Sequence, residues 1–224
     1  MRRVSMAIIA STAWVALAVA TVPAHAQGKI EGYFVKMDPY GTVARQYGRP
    51  GYGGGLEVVG ALPGTARMIA AVGGLEVVNL LSSTTKFQDA LTGLRVEQQT
   101  SQNYGRLYVG GQLGSHSSGF LRPYVGSNVA MVWYGISTDV VVPDDSNREN
   151  EIRQNLRDEN RVVFGWDGNA GVDLNFHDRW SVDVGVRYLH SYNLPQQLGA
   201  GSVRIEPDYF QFRVGLAADF RSMH

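Results

Sequence analysis

The sequence predicts an all-β fold, an eight-stranded antiparallel up-and-down transmembrane β-barrel. Three observations predict it. Segments of about ten residues alternate apolar and polar side chains with a period of two. Short turns alternate with long polar connections, the plan of a barrel that crosses a bilayer. The apolar faces carry aromatic residues at their ends, where the two membrane interfaces would lie. The 224-residue chain has no cysteine, so strand pairing and packing must hold the fold without disulfides or thiolate metal sites.

Residues 1–26 are expected to be removed. Arg2 and Arg3 precede an uncharged apolar stretch that closes on Pro23 and the small-residue triplet Ala24-His25-Ala26, the layout of a cleaved secretory signal. Residues 27–224 then form one domain. The whole chain has 20 basic and 20 acidic residues, so losing Arg2 and Arg3 leaves the acidic groups two ahead. That balance does not suggest nucleic acid as a partner. No later apolar run is long enough for a membrane helix. Entry into a membrane would be by strands.

The first three strands are expected at about 28–37, 52–62 and 67–79. The third has mixed faces, because Met68 and Val72 share parity with Glu76. In the fourth, Leu107, Val109 and Leu113 oppose Arg106, Tyr108, Gly110 and Gln112. The fifth sets Leu121, Val125, Val129, Met131 and Trp133 against Arg122, Tyr124, Gly126 and Asn128. The sixth runs from Phe164 and Trp166 to Leu174 and Phe176, with Asp167 and Asp173 on its other face. Trp180, Val182, Val184, Val186 and Tyr188 form the oily side of the seventh, opposite Asp183 and Arg187. The eighth places Phe210, Phe212, Val214, Leu216 and Phe220 against Gln211, Arg213 and Asp219.

LPGTA (62–66), SHSSG (115–119) and FHDR (176–179) read as tight turns, whereas 38–51, 80–100, 140–160 and 193–207 read as long polar loops. The stretch 143–161 is expected to contain a short helix or a solvated loop. Alternation alone also fits a soluble periplasmic ligand-binding barrel with its oily face inward. Three features place the oily face outward: a polar face with almost no lysine, aromatics at strand ends, and a strand length matched to the apolar band of a bilayer. The expected girdle is Trp133, Phe164, Trp166, Phe176, Trp180, Tyr188, Phe210 and Phe220.

The hexapeptide GGLEVV occurs twice, from Gly54 and from Gly73. With Leu56 and Val58 toward lipid, Glu57 points inward, and Glu76 does so by the same parity. Eight strands leave a lumen that side chains fill, and charges there need partners. The expected internal network is Glu57, Glu76, Arg106, Arg122, Asp167, Asp173, Asp183, Arg187, Arg213 and Asp219. The glycines from Gly51 to Gly55 make room for tyrosine and arginine opposite. They are not a phosphate cradle, since a strand and not a helix follows. The histidines 25, 116, 177, 190 and 224 show no metal-ligand spacing, so no metal and no cofactor is expected.

The stretches LRPYVGSNVAMVWYG, FGWDGNAGVDLNFHDRWSVDVGVRYLH and YFQFRVGLAADF resemble strands of the outer-membrane β-barrel domain family, the OmpA/OmpX-like small bacterial barrels. The resemblance covers about 28–220. It implies a place in the Gram-negative outer membrane, outer-membrane lipid and lipopolysaccharide as surroundings, and the barrel-assembly machinery as a partner in biogenesis. In this family the last strand usually ends the chain on an aromatic, whereas Phe220 is followed here by Arg221 to His224. The group includes adhesins, stress proteins, membrane spacers and narrow pores. The expected role is structural or surface-interactive and non-enzymatic, with a surface ligand at loops 80–100 and 140–160. A narrow porin-like pore is the alternative.

RYLHSYNLPQQLGAG is similar to the lipid A 3-O-deacylase barrels, whose signature runs His-x-Ser-Asn. That likeness makes His190 the candidate catalytic base and Glu206 a candidate orienter. The nucleophile does not carry over: position 192 is Tyr, and Ser191 has the opposite strand parity.

Overall fold

The computed structural model describes residues 28–88, 95–114, 119–142, 152–177, 179–198 and 201–220. The expected leader 1–26, the tail 221–224, His116 and most of SHSSG lie outside them. The elements are β1 (Gly28–Tyr40), α1 (Gly41–Tyr47), β2 (Gly51–Ala61), β3 (Ile69–Gln88), β4 (Arg95–Gly114), β5 (Leu121–Val142), β6 (Ile152–His177), β7 (Trp180–Ser191), β8 (Leu194–Leu198), β9 (Gly201–Ile205) and β10 (Asp208–Phe220). Strands β1 to β7 and β10 form a closed barrel in which each pairs antiparallel with its predecessor, and β10 closes on β1. Strands β8 and β9 form a separate hairpin.

The pleat sorts side chains as the period of two requires. Phe34, Leu56, Val77, Val109, Val125, Phe164, Val184, Val214 and Leu216 are exposed on the outside, whereas Glu57, Glu76, Arg106, Asp167 and Arg187 are buried within. An apolar exterior around a charged interior is a transmembrane barrel and overturns the soluble alternative, whose oily face would point inward. Among the described residues no helix is long and apolar enough to cross a membrane; the crossing is made by strands. From Trp180 to His190 the wall climbs about 33 Å along the strand, or about 25 Å at the usual tilt, the height of an apolar band.

Two of the expected long loops prove to be largely strand. Strands β3, β4, β5 and β6 have 20, 20, 22 and 26 residues, whereas β1, β2, β7 and β10 have 13, 11, 12 and 13. Gly51, at the start of β2, pairs with Leu80, and Ser191, at the end of β7, pairs with Gly165. Beyond those levels β3 to β6 continue together as a projecting four-stranded wall. Residues 152–161 are strand in it and not helix; the helix expected in 143–161 could otherwise fall only on 143–151, outside the described residues. The register shifts at Leu80/Ser83 and Thr138/Asp139 add local twist where the wall leaves the barrel.

The opposite side of the rim is low and covered. Helix α1 replaces part of the loop expected at 38–51, and the β8–β9 hairpin replaces most of that expected at 193–207. Ala44, Leu194 and Ile205 are buried there. At the other rim the β2–β3 turn holds Gly64, Ala66 and Arg67 at positive φ, and Thr65 Oγ1 donates to Leu62 O at 2.8 Å. Strand β3 therefore starts at Ile69, two residues later than the sequence suggests.

Candidate functional site

Among the described residues the barrel interior is the most elaborate polar site, and three arginine forks organise it. Arg106 donates to Glu76 at 3.2 Å and to Asp167 at 2.6 Å. Arg187 reaches Glu76 and Glu57, each at 3.2 Å. Arg213 bonds Glu57 at 3.0 Å and Asp183 at 2.9 Å, and its remaining nitrogen meets Glu31. A planar fork of fixed N–H groups suits this bridging, which a lysine in the same place could not reproduce.

The two glutamates of the repeated hexapeptide explain each other here. Glu57 pairs across the ladder with Gly74, and Glu76 with Gly55, so the carboxylates are diagonal neighbours and Arg187 spans both. The glycines opposite are functional spacers. A Cβ on Gly55 would collide with the Tyr33 ring, and one on Gly171 with that of Tyr124. Those tyrosines then complete the network. Tyr108 donates to Glu57 at 2.8 Å, Tyr33 to Glu76 at 3.1 Å and Tyr124 to Asp183 at 3.0 Å. Gln211 donates to Glu76 at 2.7 Å and Asn128 to Asp167 at 2.8 Å. Arg106 lies 4.3 Å from the Tyr108 ring centre and Arg213 4.6 Å from that of Tyr33, within cation–π range.

Closer to the short-turn rim, Lys29 Nζ bonds both oxygens of Asp173 at 2.8 and 2.7 Å and lies 3.3 Å from Glu31. Oxygens of Glu31, Asp173 and Asp183 lie within 4.8 Å of one another, with the Lys29 ammonium as their cation. Arg122 and Asp219 pair at 3.4 Å and mark the end of the charged layer. Nine of the ten charges expected in the lumen are buried, and the Asp219 side chain is 14 % exposed.

Beyond the charges, toward the projecting wall, the lumen changes character. Val35, Met37, Val78, Leu80, Tyr104, Val132, Tyr134, Leu189 and Tyr209 pack into one buried apolar cluster. Tyr104 meets Tyr134 edge-on at 5.3 Å and Tyr209 at 6.1 Å. Above them lies a cavity of about 20 Å³, lined by Leu80, Tyr134, Ile136, Leu194, Ile205 and Tyr209, the size of about one water. Along the described lumen, buried ion pairs are thus followed by a buried layer rich in aliphatic and tyrosine side chains.

This architecture is shared with known membrane proteins. The Neisserial surface protein A superposes with a TM-score of 0.53 at 9 % identity, over 88 % of this chain and 97 % of that one. The chain has the fold of a small outer-membrane β-barrel. A major outer membrane protein of Thermus thermophilus gives a TM-score of 0.49 at 11 % identity, over 87 % of this chain and 99 % of that one. The attachment invasion locus protein Ail of Yersinia pestis gives 0.42 at 10 % identity, over 87 % of this chain and 97 % of that one. No protein-family model and no curated protein matches the sequence.

On the outside of this barrel the expected girdle residues lie in two bands. Phe176, Trp180 and Phe220 are exposed at the short-turn end, and Phe164 and Trp166 are exposed toward the long-strand end, with the partly covered Trp133, Tyr188 and Phe210. His190 lies on the outer wall, its Nδ1 2.7 Å from Asp208 Oδ1. Ser191 is buried on the inner face, 3.0 Å from the Tyr134 hydroxyl. The neighbour that orients His190 is Asp208, not Glu206, which is exposed. Strand parity was the available signal, since Asp208 shares the outward face with Phe210 and Phe212.

The inward residues not anticipated from the sequence are Lys29, Glu31 and the apolar layer. Met37, Val35, Tyr33, Glu31 and Lys29 all share one face of β1, so polar and apolar inward positions follow each other along a single strand. The mixed faces of β3 have the same cause: Val72, Glu76, Val78 and Leu80 all point inward.

Proposed function

We propose that the protein is an exported, integral barrel of the outer membrane whose lumen is a structural core and whose activity is exerted from its long-strand rim, as an envelope scaffold or surface-interaction protein. The observation that supports this reading is the lumen itself, where among the described residues buried ion pairs are followed by a buried apolar layer. What remains available is the wall of β3 to β6, which rises above the apolar belt. An N-terminal signal would direct export, the barrel-assembly machinery would insert the chain, and lipid and lipopolysaccharide would surround the belt.

A non-enzymatic role is part of the proposal. Acyl transfer by an activated serine needs nucleophile and base within hydrogen-bond reach, yet His190 and Ser191 face opposite sides of the wall. The test removes the wall and leaves the belt. Variants with 83–98 or 140–156 replaced by two-residue hairpin turns, displayed on cells, are expected to insert normally and to lose adhesion to protein- and glycan-coated surfaces. Unchanged adhesion in both variants would refute the surface role.

A further inference from the structure

We propose that the outer wall carries a binding site for the ammonium headgroup of an envelope lipid, formed by Asp208 and His190 between the rings of Tyr40, Tyr188 and Trp166. This rests on the chain being a membrane-spanning barrel. A girdle requires aromatic residues, but it does not require a carboxylate. Asp208 is the first charge on β10 beyond the oily residues Phe210, Phe212 and Val214, and its side chain is 28 % exposed.

The ladder aligns the site in one row across four strands. Tyr40 pairs with Asp208, Asp208 with His190 and His190 with Trp166. Beneath that row lies Tyr188, edge-on to Tyr40 at 6.1 Å and 5.7 Å from Trp166. Tyr192 closes over His190 at 4.5 Å. The carboxylate is therefore held by His190 and flanked by rings.

The chemistry of the row selects a cation. An ionised carboxylate only accepts hydrogen bonds, so the His190 Nδ1–H donates to Asp208. The faces of tyrosine and tryptophan are electron-rich and attract ammonium groups. The adjacent Lys36 is paired with Asp38 at 2.9 Å. The carboxylate has lone pairs left to accept from an ammonium, whereas a phosphate oxygen would meet like charge. Position selects a lipid over a soluble amine: acyl chains would lie along Phe210, Phe212 and Val184 below the row, beside the mutually paired Lys36 and Asp38 of β1.

The barrel is refolded into phosphatidylcholine vesicles containing equal minor fractions of phosphatidylethanolamine and phosphatidylglycerol, extracted in polymer nanodiscs, and its retained lipids are weighed by mass spectrometry. Phosphatidylethanolamine should be retained about tenfold over phosphatidylglycerol, and Asp208→Asn should abolish that preference while the barrel still inserts. Trp166→Leu, which leaves the carboxylate in place, should weaken it and serves if the first variant does not fold. Equal retention of the two lipids, or a preference that survives Asp208→Asn, would overturn the proposal. Loss of the lipid to added free ethanolamine would overturn the lipid assignment in favour of a soluble amine. Failure of the parent chain to insert at all would instead contradict the membrane-spanning reading.

Discussion

Between Lys29 and Arg187 the barrel interior is filled with charge, whereas between Val35 and Tyr209 it is filled with aliphatic and tyrosine side chains, although the same eight strands line both sections. The difference is between two ways of packing one tube. In the charged section every carboxylate depends on a particular cation, so the loss of one partner leaves the other buried and uncompensated. In the apolar section the contacts are non-directional and shared among many neighbours, so the loss of one side chain leaves only a hole. The first section resists small errors poorly, and the second tolerates them.

The largest effect that would separate the two sections is Arg213→Ala. It takes from Asp183 its direct cationic partner and leaves Glu57 to Arg187 and Glu31 to Lys29 alone, and should cost about 3–5 kcal/mol, seen as a lower urea midpoint for the micelle-refolded barrel. A loss no greater than that of a surface arginine would break the contrast. Leu80→Ala, in the apolar layer, should cost about 2–4 kcal/mol through the cavity it leaves, and Leu80→Val, which leaves a smaller hole, should cost much less. Tyr33→Phe keeps the ring over Arg213 but removes the hydroxyl that serves Glu76 and Tyr108. Its cost should be about 1–3 kcal/mol, measured in the same unfolding series. The smallest change is expected at the rim, where Asp219→Asn disrupts a 3.4 Å contact near solvent and should cost no more than about 1 kcal/mol.

Much of this was legible in the sequence, and what was not has a physical cause. Wherever one face meets lipid and the other meets charge, as along Phe210–Phe220 or Trp180–Tyr188, the period of two located both the strand and its inward side chains. Lys29 and Glu31 escaped because the inward face of β1 continues into Val35 and Met37, which look like lipid-facing residues until the apolar layer of the lumen is known. The wall escaped for the opposite reason. In SSTTKFQ and RVEQQT the strands have left the bilayer, no face is covered by lipid, and the alternation that marks a membrane strand disappears.

Single-channel conductance of the refolded barrel, residues 27–224, in a planar bilayer tests the proposed two-layer closure most directly, with Arg187→Ala, Tyr104→Ala and their combination beside the parent. Two seals in series predict a silent parent, silent single variants and a leak only in the double variant. Steady, ion-selective conductance in the parent, or an equal leak from Arg187→Ala alone, would show that the apolar layer does not seal and that the charges line a path.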